Sequence, residues 1–393
     1  LKELKAIVSA YRQADSTRPA AIATVVKVRG SSYRSPGARM YITNDGKWVG
    51  SISGGCLEGD ALRKARKVMT DQQALTATYD TREESNQNLG ISLGCNGLID
   101  VLFEPVAGVE NTISIFEKCI NTNEPVAIAT IISGGGIGEK LVIQKETITG
   151  TFSNQRLVEL VKPALLQVFT SKKSTAQLFQ LGSETVEVFL ELIQPSISVI
   201  LFGGGFDARP VSQLAKTLGW EVQVTDECVA HIAPIFFPQA DKLSLCQREF
   251  IDRDFNITAY TACVLMSHNY EYDRDVLKKI IHSKAPYIGI LGPRKRFDKM
   301  LTEFKKEGIV LTPEQMQRIH SPIGLDIGAE AADEIAVSII GEILSKFSSR
   351  PGGFLKYNKG PIHPRDANND QVFKQAYGVD DPEMNWMDGQ RHG

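Results

Sequence analysis

Apolar positions fall into strand-length alternation through the first half of the chain, then into alternating strand-length and helix-length blocks after residue 196. Leu4, Ile7, Val8 and Tyr11 have helical spacing and predict a helix over 1–12. Residues 20–28, with Ile22, Val25, Val26 and Val28, predict a strand. The turn-rich segment 30–37 leads to a strand over 38–43. Asn44-Asp45-Gly46 then predicts a hairpin whose return strand spans 48–52. A helix over 57–69 follows, with Arg63, Lys64, Arg66 and Lys67 toward its C-terminus, where cations complement the dipole. Further strands are predicted at 75–79, 97–103, 126–132, 140–144, 147–151 and 185–193, with helices at 112–121 and 155–169. The sequence alone suggests no internal repeat.

Gln194-Pro195-Ser196 reads as a linker. Beyond it, strands at 197–202, 221–225, 243–246, 261–267 and 287–291 alternate with helices at 207–218, 272–282, 294–307 and 331–347, the pattern of a parallel sheet. The fold class is therefore α/β. An N-terminal mixed α+β domain (1–194) is followed by a Rossmann-like parallel-sheet domain (195–348) and an extended tail (349–393).

Composition narrows the function classes. A net charge of −2 gives no basic field for nucleic acid or anionic membrane. No apolar run approaches the roughly 20 residues of a spanning helix, and no secretory h-region is read at the start. The six cysteines are scattered without a CxxC pair, which suits free thiols in a reducing cytoplasm. A soluble cytoplasmic protein is expected.

Two kinds of loop carry candidate chemistry. Gly203-Gly204-Gly205-Phe206-Asp207-Ala208 follows a predicted strand and satisfies Gly-x-Gly-x-x-Ala. Gly203 would make the tight turn, Gly205 would let backbone amides approach a pyrophosphate, and Ala208 would keep the helix close to its strand. Asp226, ending the next strand, is placed to hold ribose hydroxyls, and this favours NAD(H) if a dinucleotide binds. Asp207 reads as a helix N-cap. Arg294, in Gly292-Pro293-Arg294-Lys295-Arg296, could meet phosphate at the carboxyl edge of the sheet. The alternative for each loop is a glycine turn or solvated helix start without a ligand.

In the first domain, Gly54 and Gly55 precede Cys56 at the start of a helix, a setting that favours thiolate against the opposing Glu58 and Asp60. Cys95 lies in a second glycine-lined turn, 93–97. Cys119, Cys228, Cys246 and Cys263 read as core. Among the histidines only His268 falls at an expected ligand edge, and no metal-ligand spacing joins a histidine to a cysteine.

These motifs together resemble the xanthine dehydrogenase accessory (XdhC/CoxI) family. The resemblance rests on Gly30-Ser31-Ser32, Pro36-Gly37-Ala38-Arg39-Met40, the run Gly50 to Asp60, the turn 93–97 with Phe103-Glu104-Pro105, and the loops around Gly203, Gly289 and His320. The departures are Gly204, where alanine is common, Asn96, where glycine is common, and the tail. The resemblance implies a non-catalytic accessory protein that binds the molybdenum cofactor. It would support the cofactor's sulfuration, by a sulfurtransferase, and its insertion into a xanthine dehydrogenase-type molybdenum hydroxylase. It further implies that Cys56 and Cys95 face the molybdenum or dithiolene end while Gly203–Ala208 and Arg294 take phosphate. The competing class is an NAD(P)-dependent oxidoreductase using the Rossmann domain. A scaffold that only docks the dehydrogenase is a third. A homodimer is compatible with two modest domains.

Overall fold

A computed structural model describes residues 1–15, 17–81, 97–108 and 111–358. The chain divides into two compact units, residues 3–194 and 195–357. Among the described residues no helix is long and apolar enough to cross a membrane.

The first unit opens with α1 (Lys2–Gln13), β1 (Ala20–Gly30), β2 (Arg39–Thr43), β3 (Trp48–Gly50), α2 (Glu58–Asp71), β4 (Leu75–Asp80) and β5 (Gly97–Val106). It then runs through the same order again: α3 (Thr112–Ile120), β6 (Val126–Ser133), β7 (Lys140–Gln144), β8 (Thr147–Gly150), α4 (Gln155–Ser171), β9 (Thr175–Leu181) and β10 (Glu184–Ile193). The two antiparallel sheets have matching orders, β3-β2-β1-β5-β4 and β8-β7-β6-β10-β9.

Register carries the match to single residues. Thr24 faces Arg39 as Thr130 faces Lys140, and Ile22 faces Glu104 as Ile128 faces Glu191. Gly50 and Gly150 close their hairpins at φ +87° and +74°. A side chain on either would meet the carbonyl oxygen of Arg39 or Lys140 at 2.3 or 2.4 Å. The helix faces agree as well, with Leu57, Ala61, Ala65 and Val68 buried in one half and Leu157, Val161, Leu165 and Val168 in the other. This internal duplication corrects the sequence-based expectation of no repeat. Its imprint on the sequence is clearest in β1 and β6, where Pro19-Ala20-Ala21-Ile22-Ala23-Thr24 recurs as Pro125-Val126-Ala127-Ile128-Ala129-Thr130, 106 positions later. Elsewhere it is thin: Gly50/Gly150, Ser53/Ser153, Leu57/Leu157, Val68/Val168 and Thr70/Thr170 are identical, each pair 100 positions apart.

The two halves are joined by crossed ion pairs between buried groups. Arg39 binds Glu191, and Lys140 binds Glu104, which also accepts from Thr112 Oγ1 at 3.0 Å. The Arg39 guanidinium lies 4.5 Å from the Phe116 ring centroid. The halves also differ in sequence length between β4 and β5, which residues 81–96 separate, against residues 182–183 between β9 and β10.

The second unit contains β11 (Ser198–Phe202), α5 (Ala208–Thr217), β12 (Glu221–Asp226), β13 (Lys242–Leu245), α6 (Ile251–Asp254), β14 (Thr261–Leu265) and α7 (Tyr270–Ile280). After these come β15 (Tyr287–Ile290), α8 (Arg294–Lys306), α9 (Pro313–Gln317), β16 (Ile319–His320) and α10 (Ala332–Phe347). The sheet is all parallel, ordered β13-β12-β11-β14-β15-β16. Counted from β11 this is 3-2-1-4-5-6, the dinucleotide-binding order, which reverses between β11 and β14. Helices α5 and α10 cover one face through Val211, Ala215, Ile339 and Ile343. Helices α7 and α8 cover the other through Val276, Leu277, Phe297 and Met300. Each such large apolar side chain contributes about 1.5–3 kcal/mol by leaving water. The fold is therefore a mixed α/β unit with antiparallel sheets followed by a Rossmann-like parallel-sheet unit. Of the expected tail, residues 359–393 lie outside the described residues.

Candidate functional site

The sequence proposed two glycine loops at helix starts, and their backbones differ in one decisive respect. In the first unit, the amides of Gly55, Cys56 and Leu57 all donate to Ser53 Oγ at 3.1 Å. Ser53 Oγ in turn donates to the buried carboxylate of Glu58, which also accepts from Ser51 Oγ and the Ser53 amide. The loop amides before this helix are therefore consumed internally.

What this loop offers a ligand is its outer face. Cys56 is an exposed free thiol. Gly55, at φ +114°, has no atom within 4 Å of where a side chain would project. Gly54 lies against the exposed Tyr33, whose ring a Cβ would meet at 3.6 Å. A soft, accessible sulfur beside bare backbone fits a bulky thiophilic group. Buried thiols behave differently: burial pushes Cys119 up to about 12, Cys246 up to about 11, and Cys263 well up.

Burial raises the Glu58 carboxyl, but the hydrogen bonds from Ser53, Ser51 and the backbone outweigh it and hold it below its ordinary value. A depressed folded-state value means the carboxylate stabilises the fold above the unfolded value of about 4.3, and that contribution is lost as pH falls through the folded one. Glu58→Gln should therefore flatten the acid limb of a stability–pH curve measured by urea denaturation. An unchanged acid limb would remove Glu58 from the brace.

Cys95 lies outside the described residues, as does Asn96. The described ends of its segment are tied together: Thr81 N and Oγ1 donate to Gly97 O at 2.9 Å, and Gly97 N donates to Thr81 Oγ1 at 3.2 Å. Gly97 packs so closely on Ser31 that a Cβ would lie 2.4 Å from its carbonyl oxygen. Since β2 begins opposite Thr24 and β3 ends opposite Met40, residues 51–57 leave the sheet at this same end. Among the described residues no group of three histidine, cysteine or acidic side chains could hold a metal ion.

In the second unit the loop after β11 is open. Gly203 N donates to Thr225 O at 2.8 Å and Gly204 N to Asp226 Oδ2 at 2.9 Å. The next three amides, of Gly205, Phe206 and Asp207, have no acceptor among the described residues. They point from a helix N-terminus at the switch of strand order, the arrangement that cradles phosphate. Ala208 is fully buried, as close packing of the helix requires.

Asp226 stands where the sequence placed it, but its oxygens are occupied. Besides Gly204 N, the carboxylate accepts from Cys228 N at 2.8 Å and meets His231 Nδ1 at 3.1 Å. It is buried, and it braces the glycine turn. Asp207 likewise makes no cap bond, and its carboxylate meets His268 Nε2 at 3.1 Å instead. Cys228 is exposed at the rim of this loop, which corrects its expected place in the core.

Arg294 is exposed at the first position of α8. The cation tied into the carboxyl edge is Arg296, which donates to the buried Asp273 at 2.7 Å, and Asp273 also accepts from Ser267 Oγ at 2.6 Å. Sequence reasoning passed over His231 and Arg296. The spacing of His231 from Asp226 was the only available signal for the first, and nothing local distinguished Arg296 from its neighbours.

A family model described as the XdhC Rossmann domain matches residues 199–343, and one described as the XdhC and CoxI family matches 13–80. A probable xanthine dehydrogenase subunit from Bacillus subtilis is 31% identical over 328 residues, covering 83% of this chain and 92% of the relative. The molybdenum cofactor insertion chaperone PaoD of Escherichia coli is 22% identical over 330 residues, 84% of each chain. A crystal structure of a xanthine dehydrogenase from Bacillus halodurans superimposes with a TM-score of 0.73 at 28% identity, covering 89% of this chain and 97% of that one. With matching models in both units and a near full-length relative, this chain belongs to the XdhC and CoxI family.

Proposed function

We propose that this chain is an accessory protein for molybdenum enzymes: it binds the molybdenum cofactor and supports its sulfuration and its insertion into a xanthine dehydrogenase-type hydroxylase. The observation that carries the proposal is the open cradle of Gly205, Phe206 and Asp207 amides in a chain that also presents an accessible thiol, Cys56. The Escherichia coli insertion chaperone, similar over most of the chain, supports it. When bound, the cofactor supplies the metal and sulfur chemistry that its client enzyme uses. The chain's own part is to hold it: the second unit offers the Gly205, Phe206 and Asp207 amides to phosphate, with Gly203 shaping the turn, and the first unit offers the Cys56 thiol beside Gly54 and Gly55. A hydroxylase and a sulfurtransferase are the partners this role requires, in the cytoplasm, with a homodimer as the working assembly.

Cys56→Ala should weaken retention of molybdopterin about tenfold, the worth of one strong contact, as read by pterin fluorescence of the purified protein. Unchanged retention in the Cys56→Ala, Cys95→Ala double variant would remove the thiols from the role.

A second reading, an NAD(P)-dependent oxidoreductase, draws on the 3-2-1-4-5-6 strand order and the Gly-x-Gly-x-x-Ala loop. Against it stands Asp226, whose oxygens serve the protein's own amides. Titration with NADH separates the two readings, since the oxidoreductase requires saturable binding and the accessory role does not.

A further inference from the structure

The Rossmann crevice holds a charged pair that the phosphate cradle by itself does not explain. His268 follows β14, directly across the switch point from the loop that follows β11. Its ring lies over Gly205, with Cδ2 3.6 Å from where a Cβ would stand. Its backbone is left-handed, φ +61°, a conformation costly for a residue with a side chain. Its Nε2 meets the Asp207 carboxylate at 3.1 Å.

That contact answers an electrostatic problem. Asp207 sits at the start of α5, among the three unpaired amides, and a bare carboxylate there would repel an incoming phosphate. The imidazole engages this carboxylate through Nε2 and lies beside Gly205 at the cradle. We propose that His268, oriented by Asp207, is the phosphate-contacting side chain of this crevice. The proposal rests on the phosphate-binding role of the glycine loop.

Two of the surrounding charged pairs are engaged internally, and Arg209 is packed on aromatic rings. Asp226 and His231 are paired with each other on the far side of Gly204. Arg209 is held against the Phe236 ring, 3.7 Å from its centroid, and near Phe206. Asp273 and Arg296 are paired behind Ser267. His268 is more exposed than Asp207 (side-chain exposure 60% against 27%), so it is the member of the pair that meets solvent and ligand.

The test is calorimetric titration of the full chain with inorganic pyrophosphate at one fixed pH and ionic strength. His268→Asn, a residue that tolerates the left-handed backbone, should weaken binding about tenfold, the worth of a charge-assisted hydrogen bond, whereas His268→Lys should keep the affinity. If wild type binds and His268→Asn matches it, the histidine role is overturned while the cradle stands. If wild type does not bind pyrophosphate, both are overturned.

Discussion

Gly203→Ala should destabilise the Rossmann unit by about 3–5 kcal/mol, adding the left-handed backbone penalty to overpacking against atoms that cannot move aside. Gly203 has φ +121°, and a Cβ there would lie 2.5 Å from the Cα and N of Ser267 and 2.6 Å from the carbonyl carbon of Met266. All three are backbone atoms at the end of the adjacent strand, so relief requires β11 and β14 to part at the switch point. Against a total stability of about 5–15 kcal/mol this is a large loss. Gly205→Ala is the contrasting change. Its Cβ would meet only the His268 ring, at ordinary contact distance, so stability should stay within about 1 kcal/mol of wild type. Urea denaturation of both variants checks the pair, and equal midpoints for Gly203→Ala and wild type would refute the packing argument.

The second large effect is expected at the seam between the duplicated halves. Arg39 and Glu191 are both nearly buried, with side-chain exposures of 6% and 8%. Removing one partner strands the other charge in a low-dielectric site, so Arg39→Ala should cost about 3–5 kcal/mol. The double change Arg39→Met, Glu191→Leu removes both charges and should recover most of that loss, because a buried pair contributes little net stability over well-packed apolar groups. Chemical denaturation of the three variants gives the comparison. A double variant no more stable than Arg39→Ala would show that packing, and the stacking of Arg39 on Phe116, outweighs the charge.

Much of this architecture was legible before any coordinates. The β-forming residues Ile22, Val25, Val26 and Val28 and the Asn44-Asp45-Gly46 turn locate the first hairpin, and the strand–glycine–helix passage through Gly203 locates the cradle. These signals are local, which is why the sequence carries them. Other features were not local. β9 alternates weakly, with Leu178 exposed on an edge strand, and β16 has two residues that pair only because β15 lies beside them. The duplication is written in the sequence chiefly as Ala21-Ile22-Ala23-Thr24 and Ala127-Ile128-Ala129-Thr130, a short match that gains meaning only beside the shared register and the paired glycines Gly50 and Gly150.

Sequence placed Cys56 before a helix, Gly203, Gly205 and Ala208 at a strand-to-helix turn and Asp226 at a strand end, and the structure has them there. Sequence could not say which donors were free. Two glycine-rich helix starts look alike in one dimension, yet Ser53 closes the first and nothing among the described residues closes the second. The direction of the Asp226 carboxylate, inward to Gly204 and Cys228, is likewise a property of the folded turn.

The most direct measurement is molybdopterin binding by the full chain, wild type beside Gly205→Ala, by pterin fluorescence at equilibrium. Saturable uptake by wild type, with a clear loss when one methyl group is set into a cradle that otherwise remains folded, is the predicted result. A wild-type protein that takes up no molybdopterin, or a variant that takes it up equally well, would contradict cofactor holding by the amides of Gly205, Phe206 and Asp207.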